Sequence, residues 1–423
     1  MVRGQAAGPI EGGDHNRRET SASGPIDDQD PDRWRMLALL CAAMLLALSA
    51  WMTATAVGPQ FQARWELSAG QVGLLTTVVQ IGFVVGTALA AVLNIADLVP
   101  NRSLFAGCAA LAALANAALL VTPGYGTALF VRFLTGFFLA GVYPPGMKMI
   151  STWFRSSRGM AIGAVVGALT VGKAMPYLLK AIGEASIVGV IGGASVAGVG
   201  ATALIAIGYR DGPYSVPRSP FAWSRIGGIL RHRESMLATG GYLGHMWELY
   251  AAWSTIGAFF LMYFHADGHS ISADLSAFAM IAVGGVGAVV AGVWADRWGR
   301  ERIAIWAMVS SGACALSIGW MGPLPVWIVL PVALTWGITI VSDSAQFSAV
   351  LTEVAPPDSV GTALMLQASL GFALTAVSIQ VTSWLASEYG WGVAYSVLAI
   401  GPWVGIASML RLKTLRVPQA TAG

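Results

Sequence analysis

The chain has 423 residues, of which 56% are hydrophobic and only 11% are charged. A soluble domain carries about 25% charged residues, so this composition excludes a water-soluble globular protein. The formal net charge of +3 gives no reason to expect a nucleic-acid partner. Apolar stretches of about 20 residues recur along the chain, and each is long enough to cross the hydrocarbon core of a bilayer. We predict a polytopic membrane protein.

The first 33 residues differ from the rest of the chain. Residues 1–33 contain seven acids, several arginines, glycines and prolines, and no long apolar run, a composition typical of a disordered tail. No short apolar segment with a cleavage site precedes the first long one, so we expect no removable signal peptide. We predict twelve membrane-spanning helices after the tail, at roughly residues 36–57, 70–94, 103–122, 126–149, 159–181, 185–208, 235–263, 273–295, 303–321, 325–350, 360–384 and 391–410.

Lysine and arginine are distributed unevenly between the two sides that these spans define. The side opposite the N-terminus holds two, Arg64 and Lys180. The N-terminal side holds seventeen: Arg33, Arg35, Arg102, Lys148, Arg155, Arg158, Arg210, Arg218, Arg225, Arg231, Arg233, Arg297, Arg300, Arg302, Arg411, Lys413 and Arg416. Because basic loops remain in the cytoplasm, we predict an inner-membrane protein with both termini cytoplasmic.

An offset of 199 residues relates the two halves of the chain. It connects Asp97 with Asp296 in the loops LNIADLVPNR (93–102) and GVWADRWGRER (292–302), Gly172 with Gly371, and Trp51 with Tyr250. Two six-helix halves repeated in parallel orientation account for such an offset. We predict bundles at residues 34–208 and 234–423, the second ending in a short cytoplasmic tail, with a basic cytoplasmic linker at 209–233 between them.

The loop GVWADRWGRER resembles the signature G-x-L-x-D-R-x-G-R-R of the major facilitator superfamily. Arg132 and Gly136 in RFLTGFFLAG resemble the fourth-helix arginine motif of the same family. The resemblance covers nearly all of the chain after the tail. It implies an all-α membrane protein of twelve transmembrane helices, arranged as two pseudo-symmetric six-helix bundles around a central cavity.

The same loops are candidates for gating. Asp296 can cap or charge-pair at the cytoplasmic ends of helices, while Arg297 and Arg300 can meet helix C-termini and carboxylates. Such a cluster would hold one half against the other and release it during rocking. In the first-half copy of the loop the signature has lost its leading glycine, and Asp97 and Arg102 are the charged positions that remain.

A possible nucleotide site needs separate consideration, because GALTVGKAMPYL (167–178) has the spacing of a phosphate-binding loop. Ala174 stands where a hydroxyl side chain should follow Lys173, and the segment lies in an apolar helix without a preceding strand, so we predict no nucleotide binding. His245 and Glu248 lack the spacing of a zinc site, and the cysteines, Cys41, Cys108 and Cys314, have unrelated spacings. We predict no metal and no cofactor.

Five ionisable residues lie away from the ends of the predicted spans: Arg132 in span four, Lys173 in five, His245 and Glu248 in seven, and Asp343 in ten. The resemblance implies that spans one, four, seven and ten line the cavity, that five flanks it, and that three, six, nine and twelve face lipid. All five residues therefore fall where water and substrate are expected. Tyr143 joins them as a candidate, because it precedes Pro144 and Pro145, which we expect to break the fourth span near mid-depth.

Several of these residues have two interpretations from sequence. Lys173 lies past mid-depth toward the outer face, where it either contacts a substrate or extends to the outer headgroups by snorkelling. His245 and Glu248, three residues apart on a helix, form either a structural hydrogen-bonded pair or a proton-coupling pair. Arg132 either binds substrate or pairs with a backbone carbonyl. Asp343, near Ser342, Ser344 and Gln346, is a further candidate for a proton site.

These features predict a secondary active transporter of a small solute, most simply a proton symporter, because the chain contains no ATP-hydrolysing motif. His245, Glu248 and Asp343 are the candidate proton sites, while Lys173 and Arg132 favour an organic anion such as a carboxylate. A proton-driven exporter of drugs or metabolites and a non-transporting membrane sensor are the alternatives. An intramembrane enzyme is disfavoured, because the intramembrane histidine has no cysteine partner. Oligomeric state and direction of transport stay open.

Overall fold

The computed structural model describes residues 30–93, 95–155, 157–182, 186–214, 222–265 and 270–420. Throughout these ranges the ordered elements are helices, and none of the residues described is in a strand. The all-α prediction is therefore confirmed. Most of the predicted tail (1–33) and residues 215–221 of the predicted linker lie outside the described residues.

The N-terminal half contributes ten α-helices in the part of the chain described. They are α1 (Asp32–Leu48), α2 (Thr53–Ala56), α3 (Gly58–Trp65), α4 (Ala69–Val92), α5 (Ile95–Leu98), α6 (Asn101–Ala118), α7 (Tyr125–Leu139), α8 (Tyr143–Ser151), α9 (Arg158–Ile182) and α10 (Ile187–Ala203). A 3₁₀ turn (Leu119–Val121) extends α6, and a π-helical turn (Leu204–Gly208) extends α10.

The second half contains the remaining helices of the described ranges. They are α11 (Trp223–Arg231), α12 (Arg233–His265), α13 (Ser270–Ala282), α14 (Gly284–Trp298), α15 (Arg300–Ile318), α16 (Val326–Ser342), α17 (Ser344–Val354), α18 (Val360–Leu398) and α19 (Ile400–Ala420). Gly390, with φ 82°, makes a sharp bend inside α18, a backbone conformation that glycine adopts without the steric cost of a Cβ.

Eight helical segments among the described residues are long and apolar enough to cross a membrane. One of them, Val360–Arg416, has 57 residues and contains the bend at Gly390, so it is long enough for two crossings. Helices α1, α12 and α15 are not among these segments. Helix α1 has only 17 residues, and all three helices contain charged residues. The predicted count of twelve is consistent with this arrangement.

Several membrane segments are interrupted near their middle. The predicted break in the fourth span is confirmed, since α7 ends at Leu139 and α8 begins at Tyr143. Span one is also broken, between Leu48 and Thr53, and span ten is broken at Asp343. Breaks of this kind release backbone carbonyls inside the membrane, and such groups need partners from the protein.

Small residues on α9 let it pack tightly against α14 of the second half. A Cβ added at Gly163 would lie 2.9 Å from the carbonyl oxygen of Ala288, and one at Gly167 would lie 2.8 Å from that of Gly285. These glycines, spaced by four residues, form a smooth face that allows close helix packing. The face runs along α14, so it forms a seam between the halves along the N-terminal half of α9.

Candidate functional site

Lys173 is buried in α9 with its ammonium group surrounded by aromatic rings. Its Nζ donates a hydrogen bond to the hydroxyl of Tyr250 and lies 4.3 Å from the ring centroid of Trp51, 4.7 Å from that of Tyr250 and 5.5 Å from that of Trp253. These distances lie within the range of cation–π attraction. The residue is 5% exposed, so it turns toward the protein interior and does not have the outward path that snorkelling requires.

The position of Lys173 follows from close packing between α9 and α1. A Cβ at the preceding residue, Gly172, would collide with the backbone of Leu45, so only glycine lets the two helices approach this closely. Trp51 follows directly after α1, in the broken part of span one. The contact therefore brings the Lys173 side chain to the Trp51 ring.

Five side chains form what we call the central aromatic cluster: Trp51, Phe83, Tyr250, Trp253 and Phe372. Neighbouring ring centroids in it are 4.6–6.0 Å apart, distances typical of aromatic pairs. The offset of 199 residues that relates Trp51 to Tyr250 also relates Lys173 to Phe372. Two repeat-related pairs thus meet at one point, which is the expected location of a site on the internal symmetry axis.

Arg132 is fully buried and binds the broken part of span one. Its Nη1 donates to the carbonyl oxygen of Ala50 at 2.9 Å, to Thr53 Oγ1 at 3.0 Å and to Asn116 Oδ1 at 3.2 Å. Its Nη2 donates to the carbonyl oxygen of Trp51. Carbonyl pairing, one of the two interpretations from sequence, describes this geometry. Arg132 reaches the aromatic cluster through Trp51, whose carbonyl it binds and whose ring faces Lys173.

The acidic groups of the second half lie in two separate buried contacts. His245 Nδ1 lies 2.7 Å from Asp343 Oδ1, a contact that is an ion pair when the histidine is protonated. Glu248 Oε1 accepts a hydrogen bond from Trp336 Nε1 at 2.7 Å, and its Oε2 accepts one from Ser311 Oγ at 3.0 Å. The predicted pair between His245 and Glu248 is therefore not formed. The break in span ten brings Asp343 to His245, while Glu248 binds Trp336 and Ser311.

The two halves differ in the sign of their buried charge. Within the described residues, no carboxylate oxygen lies within 4.0 Å of the cationic nitrogens of Lys173 or Arg132. Among the described residues the second half supplies three buried carboxylates, Glu248, Asp274 and Asp343, and one buried histidine, His245; Asp274 is the one that pairs with Lys180. An anion would therefore find its complement on the first half, while a proton would find acceptors on the second.

A cavity of about 230 Å³ lies between the halves, toward the C-terminal end of α9. Its polar wall includes Thr55, Thr76, Ser254, Thr255, Ser383 and Ser387. Tyr177, one helical turn after Lys173 on α9, also lines it, so the cavity ends next to the aromatic cluster. Lys180, which the sequence places at the outer surface, is instead buried at the cavity wall, where its Nζ lies 2.9 Å from Asp274 Oδ1.

Tyr143 approaches the cluster from the break in span four. It is the first residue of α8, and its ring centroid lies 6.3 Å from that of Phe83. The sequence therefore predicts a residue that the structure places beside the cluster. Phe83, Trp336 and Ser311 lack a sequence signal, because an apolar ring, an indole and a hydroxyl are common in any membrane helix.

The predicted gating residues Asp296 and Arg297 lie at the C-terminal end of α14, and Arg300 is the first residue of α15. The Asp296 carboxylate on α14 lies against Gly159 in the first turn of α9, where an added Cβ would be 2.7 Å from Oδ2. Arg300 Nη2 lies 3.7 Å from Asp296 Oδ1, and Arg300 Nε lies 2.8 Å from Glu353 Oε1. Arg297 is exposed and has no ion pair in the described part of the chain.

The first-half loop is arranged differently. Arg102 donates from Nε to the carbonyl oxygen of Ile205 at 3.3 Å and from Nη2 to that of Ala206. Both acceptors lie at the end of span six in the same half, so Arg102 caps a helix terminus and makes no contact across the seam there. Asp97 lies in α5, and its side chain is outside the described residues.

Comparisons with known proteins agree with this architecture. The family description "Major Facilitator Superfamily" matches residues 39–379. The fold is similar to a crystal structure of a mutant of the nucleoside transporter NupG, with a TM-score of 0.68 and 13% identity, covering 90% of this chain and 99% of that one. It is also similar to a bacterial homologue of the human lysosomal transporter Spinster, inward-facing and unoccupied, with a TM-score of 0.63 and 16% identity over 91% and 95% of the two chains. No curated protein matches the sequence significantly.

Proposed function

Since this chain belongs to the Major Facilitator Superfamily, we propose that it is a proton-coupled secondary transporter of a small organic carboxylate. Membership of this family makes it an integral membrane transporter of small molecules and not an enzyme. The proposal adds the substrate charge, the coupling ion and the residues that bind each. It also includes the orientation predicted above, with both termini in the cytoplasm.

The observation that carries the substrate charge is the environment of Lys173. The ammonium is buried, and among the described residues its contacts are a hydroxyl and three ring faces, with no carboxylate. A cation at this depth costs at least about 2.5 kcal/mol to place in a membrane helix. A substrate carboxylate would supply the missing counter-charge. Tyr177 and the cavity that it lines offer a route to it.

Coupling to protons is supported by the second half. Glu248, His245 and Asp343 are buried ionisable side chains, and His245 and Asp343 are in contact with each other. Glu248 accepts two hydrogen bonds, from Trp336 and Ser311, which hold it in one orientation. Such groups serve proton transfer when each access state exposes them to a different side.

The test is uptake by purified protein in proteoliposomes, with a panel of radiolabelled aliphatic and aromatic carboxylates and an imposed pH gradient. We expect accumulation of a carboxylate that collapses when the gradient is removed. Lys173→Met keeps much of the side-chain volume and should weaken substrate binding by about 1.5–3 kcal/mol, the usual contribution of a hydrogen bond to a charged group. Lys413→Met, at an exposed cytoplasmic lysine, is the matched control.

Glu248→Gln separates coupling from binding. We expect this variant to exchange substrate across the membrane without a gradient, and to lose gradient-driven accumulation, because the amide takes up no proton. Uptake that is indifferent to pH in the wild type would refute the proton proposal. Binding of carboxylates that is unaltered in Lys173→Met would refute the substrate assignment. Failure to move any solute while still binding one would favour the sensor alternative.

A further inference from the structure

Four buried polar atoms around the central aromatic cluster lack hydrogen-bond partners among the described residues. They are Trp51 Nε1, Trp253 Nε1, and both amide atoms of Gln80, which lies one helical turn before Phe83 on α4. Trp51 and Trp253 are each 1% exposed and Gln80 is 0% exposed. Folded proteins satisfy the great majority of such groups, so a cluster of them needs an explanation.

The same cluster holds a cation without a counter-charge. Lys173 Nζ lies over the faces of Trp51, Tyr250 and Trp253. The ring faces therefore surround the ammonium in place of a carboxylate counter-charge. A substrate carboxylate that draws the ammonium away leaves these faces without their cation. An aliphatic substrate would not restore that interaction, whereas an aromatic ring stacked on the vacated faces would.

We propose that the substrate is a planar aromatic carboxylate that carries a hydrogen-bond acceptor on its ring. The carboxylate pairs with Lys173, the ring stacks against the faces of the cluster, and the acceptor receives a hydrogen bond from the indole N–H of Trp51 or Trp253. This inference rests on the proposed function for its negative charge. The flat shape of the substrate is inferred from the ring faces of the cluster. The hydrogen-bond acceptor is inferred from the indole N–H groups that lack partners among the described residues.

Three probes of similar size separate these features. Benzoate and cyclohexanecarboxylate differ in aromaticity, while nicotinate and benzoate differ in one ring nitrogen that accepts a hydrogen bond. Calorimetric titration of the full-length protein in lipid nanodiscs measures the affinity for each. We expect benzoate to bind about two- to tenfold more tightly than cyclohexanecarboxylate. Nicotinate should exceed benzoate by a similar factor, about two- to tenfold.

The variants Trp253→Phe and Trp51→Phe keep a ring face and remove an N–H donor. We expect at least one of them to abolish the advantage of nicotinate over benzoate, while the preference for benzoate over cyclohexanecarboxylate persists. Trp327→Phe, at a ring 72% exposed on α16, should change neither ratio. The matched control shows whether the effect is specific to the cluster.

Each contrary result is informative. Equal or tighter binding of cyclohexanecarboxylate than of benzoate would overturn the aromatic assignment and leave the proposed carboxylate transport intact. An advantage of nicotinate that survives in both indole variants would overturn the acceptor assignment. If none of the three probes binds while aliphatic carboxylates are transported, this inference fails alone. If no carboxylate is bound or transported, the proposed function fails with it.

Discussion

Asp296 offers a test of how the two halves are held together where α14 meets the first turn of α9. Its carboxylate on α14 lies against the first turn of α9, at Gly159, and near Arg300. Asp296→Asn keeps the shape of the side chain and removes its charge. Because the N-terminus of α9 belongs to the other half, the substitution should weaken the state in which the seam is closed.

The magnitude follows from the two contacts that the charge makes. A carboxylate at a helix N-terminus contributes about 0.3–1 kcal/mol when exposed, and Asp296 is an exposed residue. The Arg300 contact, at 3.7 Å, adds at most about 1 kcal/mol, as is usual for surface ion pairs. The total of about 0.3–2 kcal/mol corresponds to a shift of roughly 1.7- to thirtyfold in the ratio of open to closed states.

The assay is the rate at which a water-soluble maleimide labels a cysteine introduced at Val289, a half-buried residue that lies against Gly163 on the seam below Asp296, with substrate turnover measured in parallel. We expect faster labelling and slower turnover in the Asp296→Asn background, at an unchanged expression level. Glu388→Gln, at an exposed acid elsewhere, is the control. Labelling and turnover that match the parent protein would show that Asp296 is an ordinary surface acid, and the reasoning above would be refuted.

Three further predictions concern stability, packing and topology. Arg132→Leu should lower the free energy of unfolding of the detergent-solubilised protein by at least about 3 kcal/mol, because each buried acceptor left unsatisfied costs about 1–3 kcal/mol. An unchanged melting temperature would contradict the role of Arg132 in holding span one. Asp274→Asn leaves Lys180 buried without its charged partner, so the free energy of unfolding should fall by about 3–5 kcal/mol. Replacing both residues with leucine should recover most of the loss in melting temperature. No recovery would show that the pair does more than hold the helices together. Cysteines can be introduced at Gly227 and Gly322, where a Cβ meets no atom within 4 Å. An impermeant maleimide should label the cysteine at position 227 only from the inside and the one at position 322 only from the outside. Labelling of both from one side would reject the proposed orientation.

Several features of the site could be read from local sequence. The break in span four follows from Pro144 and Pro145, because proline removes a backbone donor and collides with the preceding turn. The close face of α9 follows from the spacing of its glycines, because four residues are about one helical turn. A charged residue within an apolar segment is visible from the sequence alone, so the sequence predicts Lys173, Arg132 and Glu248 as candidates.

The partners of those residues could not be read in this way. The direction of a side chain depends on how its helix is rotated and on which neighbour packs against it, and neither is encoded within one segment. His245 and Glu248 illustrate this, since their spacing indicates a common face while the structure gives them Asp343 and Trp336 as separate partners. The aromatic residues of the cluster also resemble ordinary packing residues until the fold brings them together.

The sequence by itself determined that this protein spans a membrane, that its two halves repeat and that its family transports small molecules, because hydropathy, charge bias and an internal offset are properties of the chain that need no contacts. Only the tertiary structure decided what the buried charges do. Arg132 binds the carbonyls released by a broken helix, while Lys173 meets three aromatic rings from both halves. The physical reason is that a buried charge is defined by its neighbours, and here those neighbours are separated by as many as 122 positions along the chain (Trp51 to Lys173).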